Sequence, residues 1–496
     1  MRPNLRATVV AATLYAIVND AIRLVAGTRL AMDDAKTNLF TQVWRWGYQA
    51  DNPPMFEWLI KLAHGVTGGG LPSFLLVKSL CLIAAAAFMH LAVRRFANER
   101  TAFATAVGMV LLYQVGWNFH QAFTHSALLL TACCAGLWAG VRLVQRQEWR
   151  DYLVFGAVAG CGMMAKYNFA LFLVGFLVAS LTCLPFRRAV ASPRLLVSIG
   201  IALLLFSPHL LWFISRVDVY AGTLDDTLGL EGAWAARVAS GLAALAVATI
   251  SFFVPWGLVY GVLLRRRSDG EGADTKIASL LTGTSVVAII VIAVGIVAFG
   301  VGAVSERYVI PALLPAYAGL TAALLGNRPH ALRPYVLASL AVAVLCSLLR
   351  LVGFLVPQPP FCDDCWAFVP YEVLEERLAE TVPPDAILLA REENTAGNLV
   401  VAFPAARITS LNLLTQFNPT EAATDRSCFY VWSEDMAGGV PLFPVFAFAY
   451  DDPRTVMVEA PWRHPLRPDG FRRTVWGITP LDGPLYERFC TAGAPG

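Results

Sequence analysis

Repeated apolar runs, each of roughly twenty residues, constrain the fold of this chain more than any other feature of its sequence. Short arginine-rich segments separate many of these runs. The sequence of 496 residues is 57% hydrophobic and 15% charged, whereas a soluble domain carries about 25% charged residues. The pattern predicts a polytopic α-helical membrane protein with about eleven transmembrane helices. The predicted spans are residues 7–27, 73–93, 101–116, 121–141, 151–165, 168–185, 195–214, 238–263, 279–301, 308–326 and 334–356.

The basic residues between the spans predict the orientation of the chain. They collect on one side of the predicted topology, which the positive-inside rule assigns to the cytoplasm. The amino terminus is then cytoplasmic, and the polar loops gather on the opposite, extracytoplasmic face. Because topology explains the arginine clusters, the net charge of +3 does not indicate nucleic acid binding. The clusters are Arg2 with Arg6, Arg94–Arg95 with Arg100, Arg142 with Arg146 and Arg150, Arg187–Arg188, Arg265–Arg267 with Lys276, and Arg328 with Arg333.

Residues 357–496 differ from the rest in composition. A Pro-Gln-Pro-Pro segment opens them at Pro357, and short apolar runs such as Ala386–Ala390 follow, which is typical of strands. We therefore predict a transmembrane domain over residues 1–356, with its first periplasmic loop at 28–72. A small soluble periplasmic domain follows over residues 357–496, α/β in class, with mostly β structure as the alternative.

Four cysteines lie in this predicted periplasmic domain, where an even number in an oxidising compartment favours disulfides. Two of them form a CxxC motif, which also occurs in redox and zinc sites; a structural disulfide is the favoured interpretation. The other six cysteines lie in or near apolar spans and are interpreted as packing residues. The four are Cys362, Cys365, Cys428 and Cys490.

A pair of adjacent carboxylates, Asp33 and Asp34, lies near the start of the first outer loop. Ionisable residues at a membrane surface are costly unless they serve a site. One carboxylate can deprotonate a hydroxyl or amine, while the second orients the acceptor or binds a metal. The structural alternative is that an Asp caps the next helix. We predict both as catalytic residues, without deciding which one is the base.

The rest of the same loop favours a site over a simple connection. Tyr48 and the turn Asp51–Pro54 precede a predicted amphipathic helix. Anchoring at the membrane interface explains the aromatic residues around them, but it does not require this turn beside paired aspartates. The aromatic anchors are Trp44, Trp46, Phe56 and Trp58.

Lys166 interrupts a long apolar stretch and is followed by Tyr167 and Asn168. A lysine between two helices on the outer side is a suitable ligand for a lipid-linked phosphate. The alternative is that its side chain extends out of the bilayer to water.

Two histidines, His120 and His125, lie about one helical turn apart near the start of the fourth predicted span. They are candidates for contacting phosphate or assisting proton transfer, and packed, hydrogen-bonded histidines are an equal alternative. Neither an HExxH pattern nor a third ligand supports zinc at this position.

The segment Glu306-Arg307-Tyr308 opens the tenth predicted span. An arginine at the membrane boundary can bind a phosphate or diphosphate with two parallel hydrogen bonds. The alternative is a local ion pair between Glu306 and Arg307. Asp225 and Asp226, in another outer loop, are candidates for the mouth of an acceptor site.

In their order and common sidedness, these motifs resemble those of the GT-C glycosyltransferases that use polyprenyl-phosphate sugars. They are most similar to the protein O-mannosyltransferase superfamily, with its aminoarabinose transferases and rhizobial-type lipid A/core galacturonosyltransferases. Asp33-Asp34 matches the paired-acid position of that superfamily. The other matching segments are Tyr48 with Asn52–Leu59 (a Pro-Pro turn before Trp), Gly160–Asn168, and Arg307–Tyr308 with Pro311 and Pro315.

The resemblance implies a GT-C-like fold and a sugar transfer, with inversion, from a polyprenyl-phosphate donor on the periplasmic face. Lipid A, another glycan or a protein is the implied acceptor, and one aspartate is the general base. No nucleotide sugar is needed; a divalent cation is compatible with this chemistry but not required, because two aspartates alone are a poor cage. The implied donor-phosphate ligands are Lys166, Arg307, His125 and Tyr308, and the implied substrate-binding residues are Tyr48, Asn52, Tyr167, Asn168, His120 and Glu306.

One departure from the pattern concerns Asn52, because some relatives have Lys or Gln directly before the Pro-Pro turn. This shifts the expected phosphate contact to Lys166 and Arg307. The region after the spans matches no named pattern, so the resemblance does not identify the acceptor.

Two other classes of protein remain as alternatives for a multi-pass protein of the bacterial inner membrane. A lipid or sugar transporter, or a flippase, is expected to show an inverted repeat with polar residues at the bilayer midplane, and the sequence shows neither. A non-catalytic envelope assembly protein would tolerate Asn in place of Asp33, whereas an enzyme would not.

Overall fold

The computed structural model of the chain describes residues 3–121, 123–217, 228–265, 273–356, 365–414, 417, 426–433, 449, 452–462, 464, 466–467 and 470–491. The chain divides into two compact units. The first unit comprises Met1–Asn19, Ala50–Phe56 and Lys78–Leu348, and the second comprises Asp20–Gln49, Glu57–Val77 and Leu349–Gly496. Asp225, Asp226 and Cys362, which the sequence singled out, lie outside the described residues.

Helices dominate the described structure. Up to residue 355 they are α1 (Leu5–Val25), α2 (Met32–Phe40), α3 (Met55–Thr67), α4 (Leu71–Val93), α5 (Glu99–Val107), α6 (Tyr113–Gly116), α7 (His125–Arg146), α8 (Trp149–Ala165), α9 (Phe169–Thr182), α10 (Leu184–Val190), α11 (Leu195–Ile214), α12 (Trp234–Leu264), α13 (Thr275–Phe299), α14 (Ile310–Asn327) and α15 (Leu332–Leu355). The later helices are α16 (Tyr371–Thr381), α17 (Glu393–Ala402) and α18 (Gly483–Phe489).

The predicted polytopic architecture is confirmed. Among the described residues, 8 helices are long and apolar enough to cross a membrane, or up to 9 if one bent pair counts as a single span. The bend of 73° separates Glu99–Leu111 from Tyr113–His120. The two remaining predicted spans correspond to the shorter helices α8 and α9.

Small residues bring the helices of the first unit close together. A Cβ atom on Gly175 of α9 would lie 2.5 Å from the carbonyl oxygen of Thr284 on α13. A Cβ on Gly319 of α14 would lie 2.7 Å from the carbonyl oxygen of Ala278 on the same helix α13. Such close approaches are how membrane helices gain packing contacts without a hydrophobic driving force between them. The helix α14 lies at the centre of this packing, since 89% of its apolar window is buried.

The second unit contains a five-stranded sheet in the order β2-β1-β3-β5-β4. The strands β2, β1 and β3 are parallel, while β5 pairs antiparallel with β3 and β4. Helices α16 and α17 cover one face in a core with Tyr371, Leu399 and Trp476. The predicted α/β class is therefore confirmed for this region. The strands are β1 (Ile387–Ala390), β2 (Arg407–Ser410), β3 (Cys428–Ser433), β4 (Val456–Pro461) and β5 (Arg473–Leu481).

The domain boundary after residue 356 stays a prediction. The compact units group part of the earlier chain with the C-terminal sheet. Residues of the segment between α1 and α3, including Leu39, Phe40 and Tyr48, contribute to the same core as the C-terminal sheet. The segment Asp20–Gln49 therefore belongs to the second unit.

A disulfide between Cys428 and Cys490 joins the start of β3 to the residue after α18. Cys365 is also disulfide-bonded. The sequence favoured disulfides among the four cysteines of this region without deciding their pairing, and Cys428–Cys490 is one such bridge.

Replacing both Cys428 and Cys490 by Ser should lower the free energy of unfolding by about 4 kcal/mol, because their sequence separation of 62 closes a long loop in the unfolded chain. Thermal unfolding of the purified protein in detergent measures this change. Addition of a reductant, the control, should bring wild type and variant to the same midpoint. A variant that already matches oxidised wild type would contradict the prediction.

Candidate functional site

The paired acids lie in the first turn of α2, in the second unit. Ala31 occupies the N-cap position and no side chain caps the helix, so capping does not explain either aspartate. Negative charge in the first turn is nevertheless favourable, since the amino end of a helix carries a partial positive charge. Met32 precedes the pair with a φ of 42°, a conformation that is strained for a residue with a side chain.

The two carboxylates have different environments. Asp34 is 7% exposed, whereas Asp33 is only partly buried. The guanidinium of Arg23, at the end of α1, interacts electrostatically with Asp34. Arg23 also donates a hydrogen bond of 2.8 Å to the carbonyl of Gly27 and another to that of Arg29. Asp33 is therefore the more exposed carboxylate of the pair, and Asp34 is buried beside a basic neighbour.

Two asparagines of α17 bind the backbone around the start of α2. The side chain of Asn398 accepts a hydrogen bond from the amide of Leu30 at 2.9 Å and donates one to its carbonyl at 3.0 Å. Asn394 accepts a hydrogen bond of 3.1 Å from the amide of Met32. These bonds fix the backbone at the strained residue Met32, directly before the acid pair.

Gly397 lets α2 and α17 approach each other closely. A Cβ atom at Gly397 would lie 2.0 Å from the carbonyl oxygen of Ala35, next to the acid pair. The side chain of Asn38 donates a hydrogen bond of 2.7 Å to the carbonyl of Gly397. Only glycine fits this contact without displacing one helix.

Tyr48 is buried in the same unit. Its hydroxyl donates to the carbonyl of Val43 at 2.8 Å and accepts from the amide of Arg45 at 3.2 Å. Burial raises the pKa of Tyr48 to about 12, so the phenol stays neutral. These contacts stabilise the loop, and the predicted substrate contact of Tyr48 stays a prediction.

In the first unit, the structure brings Lys166, Asn168 and Tyr308 together. Lys166 follows the end of α8, and its ammonium donates to the hydroxyl of Ser126 at 3.1 Å and lies 5.4 Å from the centroid of the Tyr308 ring. The side chain of Asn168 donates to the carbonyl of Tyr308 at 3.1 Å. The side-chain oxygen of Asn168 is buried without a hydrogen-bond partner among the described residues.

Tyr167 contacts a different neighbour. Its hydroxyl forms a hydrogen bond of 2.7 Å with Nε2 of His209 on α11, and the two rings stack at 5.7 Å. His209 is fully buried. The sequence did not single out His209, and the only available signal was a histidine within an apolar span.

The two predicted histidines are placed differently. His125 begins α7 and is buried, within 3.3 Å of the hydroxyl of Thr124 and 5.3 Å from the ring centroid of Phe56. It precedes Ser126, the hydroxyl that Lys166 contacts. The ring of His120 packs edge-on against Tyr15 of α1, at 5.1 Å.

Glu306 and Arg307 lie in a short 3₁₀ helix, Glu306–Val309, directly before α14. The carboxylate of Glu306 accepts a hydrogen bond of 3.2 Å from Gln114. Gln114 in turn accepts one of 3.2 Å from Asn118. Arg307 is half-buried and adjoins Tyr308, the aromatic neighbour of Lys166.

The turn before α3 carries two further buried oxygens. One side-chain oxygen of Asp51 and that of Asn52 are buried and accept no hydrogen bond from the described part of the chain. Buried acceptors normally have a donor from protein, water or ligand. Such oxygens suit the hydroxyl groups of a sugar.

No metal-binding centre is evident among the described residues. In the described ranges, no three or more His, Cys, Asp and Glu side chains form a group that could hold a metal ion. The polar groups above include a partly exposed carboxylate in the second unit and a cluster around an ammonium group in the first.

Comparisons with known proteins relate this chain to glycosyltransferases. A family model for dolichyl-phosphate-mannose-protein mannosyltransferases matches residues 51–212. The lipopolysaccharide core galacturonosyltransferase RgtA of Rhizobium johnstonii is 32% identical over 260 residues, or 51% of this chain and about half (51%) of that relative. The galacturonosyltransferase RgtB of the same organism is 27% identical over 446 residues, covering 87% of this chain and 88% of RgtB.

Two solved structures show the same fold over nearly the whole chain. ArnT from Cupriavidus metallidurans bound to undecaprenyl phosphate aligns with a TM-score of 0.57 and 13% identity, covering 95% of this chain and 97% of ArnT. Its apo state aligns with a TM-score of 0.60 and 14% identity at the same coverage. The chain therefore shares the ArnT fold, and in sequence it is similar to the two galacturonosyltransferases and, over residues 51–212, to the mannosyltransferase family.

Replacing Gly397 by Ala should displace α2, because the added methyl group overlaps the backbone of Ala35. We expect a loss of about 1–3 kcal/mol in stability and faster proteolysis within Asp20–Gln49. Thermal unfolding and limited proteolysis of the purified protein measure both effects. Gly65→Ala is the matched control, since a Cβ there meets no atom within 4 Å; equal behaviour of the two variants would refute the close contact.

Proposed function

We propose that this protein transfers a sugar from a polyprenyl-phosphate donor to a glycolipid or glycan acceptor at the periplasmic face of the bacterial inner membrane. The observation that carries the proposal is Asp33, a partly exposed carboxylate on a helix whose start is hydrogen-bonded to α17. The names of RgtA and RgtB support a lipopolysaccharide-type acceptor and a galacturonosyl group. The undecaprenyl phosphate bound to ArnT supports a prenyl-phosphate donor.

In this mechanism Asp33 is the general base. Its carboxylate accepts the proton of an acceptor hydroxyl as that oxygen attacks the anomeric carbon of the donor sugar. The bond between the anomeric carbon and the phosphate oxygen breaks, and prenyl phosphate leaves with the electron pair. Attack opposite the leaving group inverts the configuration. Asp34, buried near Arg23, stabilises the position of the first turn of α2.

Lys166 and Arg307 are the proposed ligands of the donor phosphate, assisted by Tyr308 and His125. The ammonium of Lys166 lies beside a hydroxyl and an aromatic ring, both of which are neutral. An ammonium group can stabilise the negative charge that develops on the leaving phosphate. Charge-assisted hydrogen bonds of this kind are among the strongest in proteins.

Asn52 and Asn168 are the proposed sugar contacts, because their buried side-chain oxygens can accept hydrogen bonds from sugar hydroxyls. The structure adds Asp51, which has a similar buried oxygen. Tyr167, His120 and Glu306 are proposed to shape the surroundings of the substrate through the contacts described above.

Replacing Asp33 by Asn should lower turnover by about 10²–10⁴-fold, because the amide cannot accept the proton of the acceptor. Release of prenyl phosphate from a panel of prenyl-phosphate sugars, including galacturonate, measures turnover in purified membranes. Asp385→Asn, at an exposed turn, is the matched control and should retain activity. If Asp33→Asn releases prenyl phosphate at the wild-type rate, the assignment of the base is wrong. If wild type releases none from any donor with glycolipid acceptors, the transporter and assembly alternatives are favoured over an enzyme.

Replacing Lys166 by Met should weaken donor binding by about tenfold to a hundredfold, since a charge-assisted hydrogen bond is lost. The KM for the prenyl-phosphate sugar and direct binding of prenyl phosphate report this effect. Lys276→Met, at the exposed start of α13, is the matched control. Unchanged affinity in Lys166→Met would exclude this lysine as a phosphate ligand.

A further inference from the structure

The second unit contains a surface pocket of about 240 Å³ that the proposed transfer reaction does not use. The last turn of α3, the glycine turn after it, the end of α17 and the start of β2 form its walls. His64 and Arg407 are its basic side chains, and no Asp or Glu is among the described residues that line it. The pocket is smaller than the roughly 300–1,000 Å³ of typical small-molecule sites, so it suits a compact group.

Basic side chains around this pocket outnumber their anionic partners. Lys61 lies one turn before His64 on α3 and interacts electrostatically with both His64 and Arg407. Its ammonium is held in place by the carbonyls of Thr41 at 2.5 Å and Gln42 at 3.0 Å. Nε2 of His64 is buried without a hydrogen-bond partner, and Arg407 forms no ion pair with any residue that the structure describes.

The positive charges of Lys61 and Arg407 repel each other when nothing negative lies nearby. Burial, and then the charge of Lys61, lower the pKa of His64 to about 4. Burial and then Arg407 likewise lower the pKa of Lys61. An anion beside these groups would raise the pKa values of both His64 and Lys61. It would also supply a hydrogen-bond partner for His64.

The pocket adjoins the start of a membrane span. The glycine turn that borders it ends at Gly70, directly before α4. On α3, Leu62 and Val66 are 60% and 81% exposed, and Trp44 and Trp46 of the same unit are 56% exposed. Exposed apolar and Trp side chains next to a span are typical of the membrane–water interface, where lipid headgroups lie.

We infer that this pocket binds the phosphate group of an anionic lipid at the membrane surface, with Arg407 and His64 as its ligands and Lys61 as a supporting charge. Arginine suits a phosphate because its fork of N–H groups donates two parallel hydrogen bonds. The volume admits the phosphate and the unit attached to it. This binding is independent of sugar transfer, so its test does not depend on the proposed enzymatic activity.

The test uses the full-length protein in nanodiscs of phosphatidylcholine with a minor fraction of lipid A, phosphatidylglycerol or no anionic lipid. Native mass spectrometry counts the lipids that remain bound after the protein is released from the nanodisc. Wild type, Arg407→Gln and His64→Gln are compared. We expect anionic lipid retained by wild type and an affinity at least about tenfold lower in Arg407→Gln, from the loss of a charge-assisted hydrogen bond. Arg377→Gln, on the exposed side of α16, should behave as wild type.

Competition with inorganic phosphate distinguishes the source of the ligand. Displacement of the lipid by millimolar phosphate supports a site for the phosphate group alone, while retention supports recognition of the whole headgroup. The thermal midpoint of each variant controls for folding, and His64→Gln provides a second test if Arg407→Gln is unstable. Equal retention of anionic lipid by wild type and both variants would overturn the inference.

Discussion

The hydrogen bonds from Asn394 and Asn398 to the backbone of Leu30 and Met32 are the interaction on which the acid pair depends. They connect groups that are 362 and 368 residues apart in sequence. Met32 carries a positive φ, and strain of this kind, about 1–3 kcal/mol, persists only where surrounding contacts over-determine the conformation. The C-terminal helix α17 therefore sets the geometry of a carboxylate near the start of the chain.

This dependence gives the C-terminal region a role in the proposed chemistry. A general base must lie within hydrogen-bond reach of the proton that it accepts, and small displacements of catalytic groups reduce rates strongly. Gly397 contributes by allowing α17 to contact the backbone of Ala35 directly. The same unit also contains the basic pocket around Arg407. The proposed positioning of the catalytic base and the proposed lipid binding therefore both depend on the sheet of this unit and its helices.

Much of the fold was predictable, because a membrane-crossing segment must satisfy its backbone internally and remain apolar outside. Long apolar runs therefore became helices close to the predicted positions, and α8 and α9 are the shorter of them. The clustering of Lys166, Asn168 and Tyr308 also agrees with the motifs that were singled out. Arg23, Gly397 and Arg407 were missed, since the contacts that make each of them important are formed with other segments of the chain.

The sequence by itself determined that this is a polytopic membrane protein and approximately where its spans lie. These properties follow from local composition and short motifs, which require no knowledge of distant contacts. Only the tertiary structure decided that Asp34 is buried near Arg23 while Asp33 is accessible, and that α17 holds their helix. Burial and long-range hydrogen bonds depend on which segments meet after folding, and no local pattern specifies those partners.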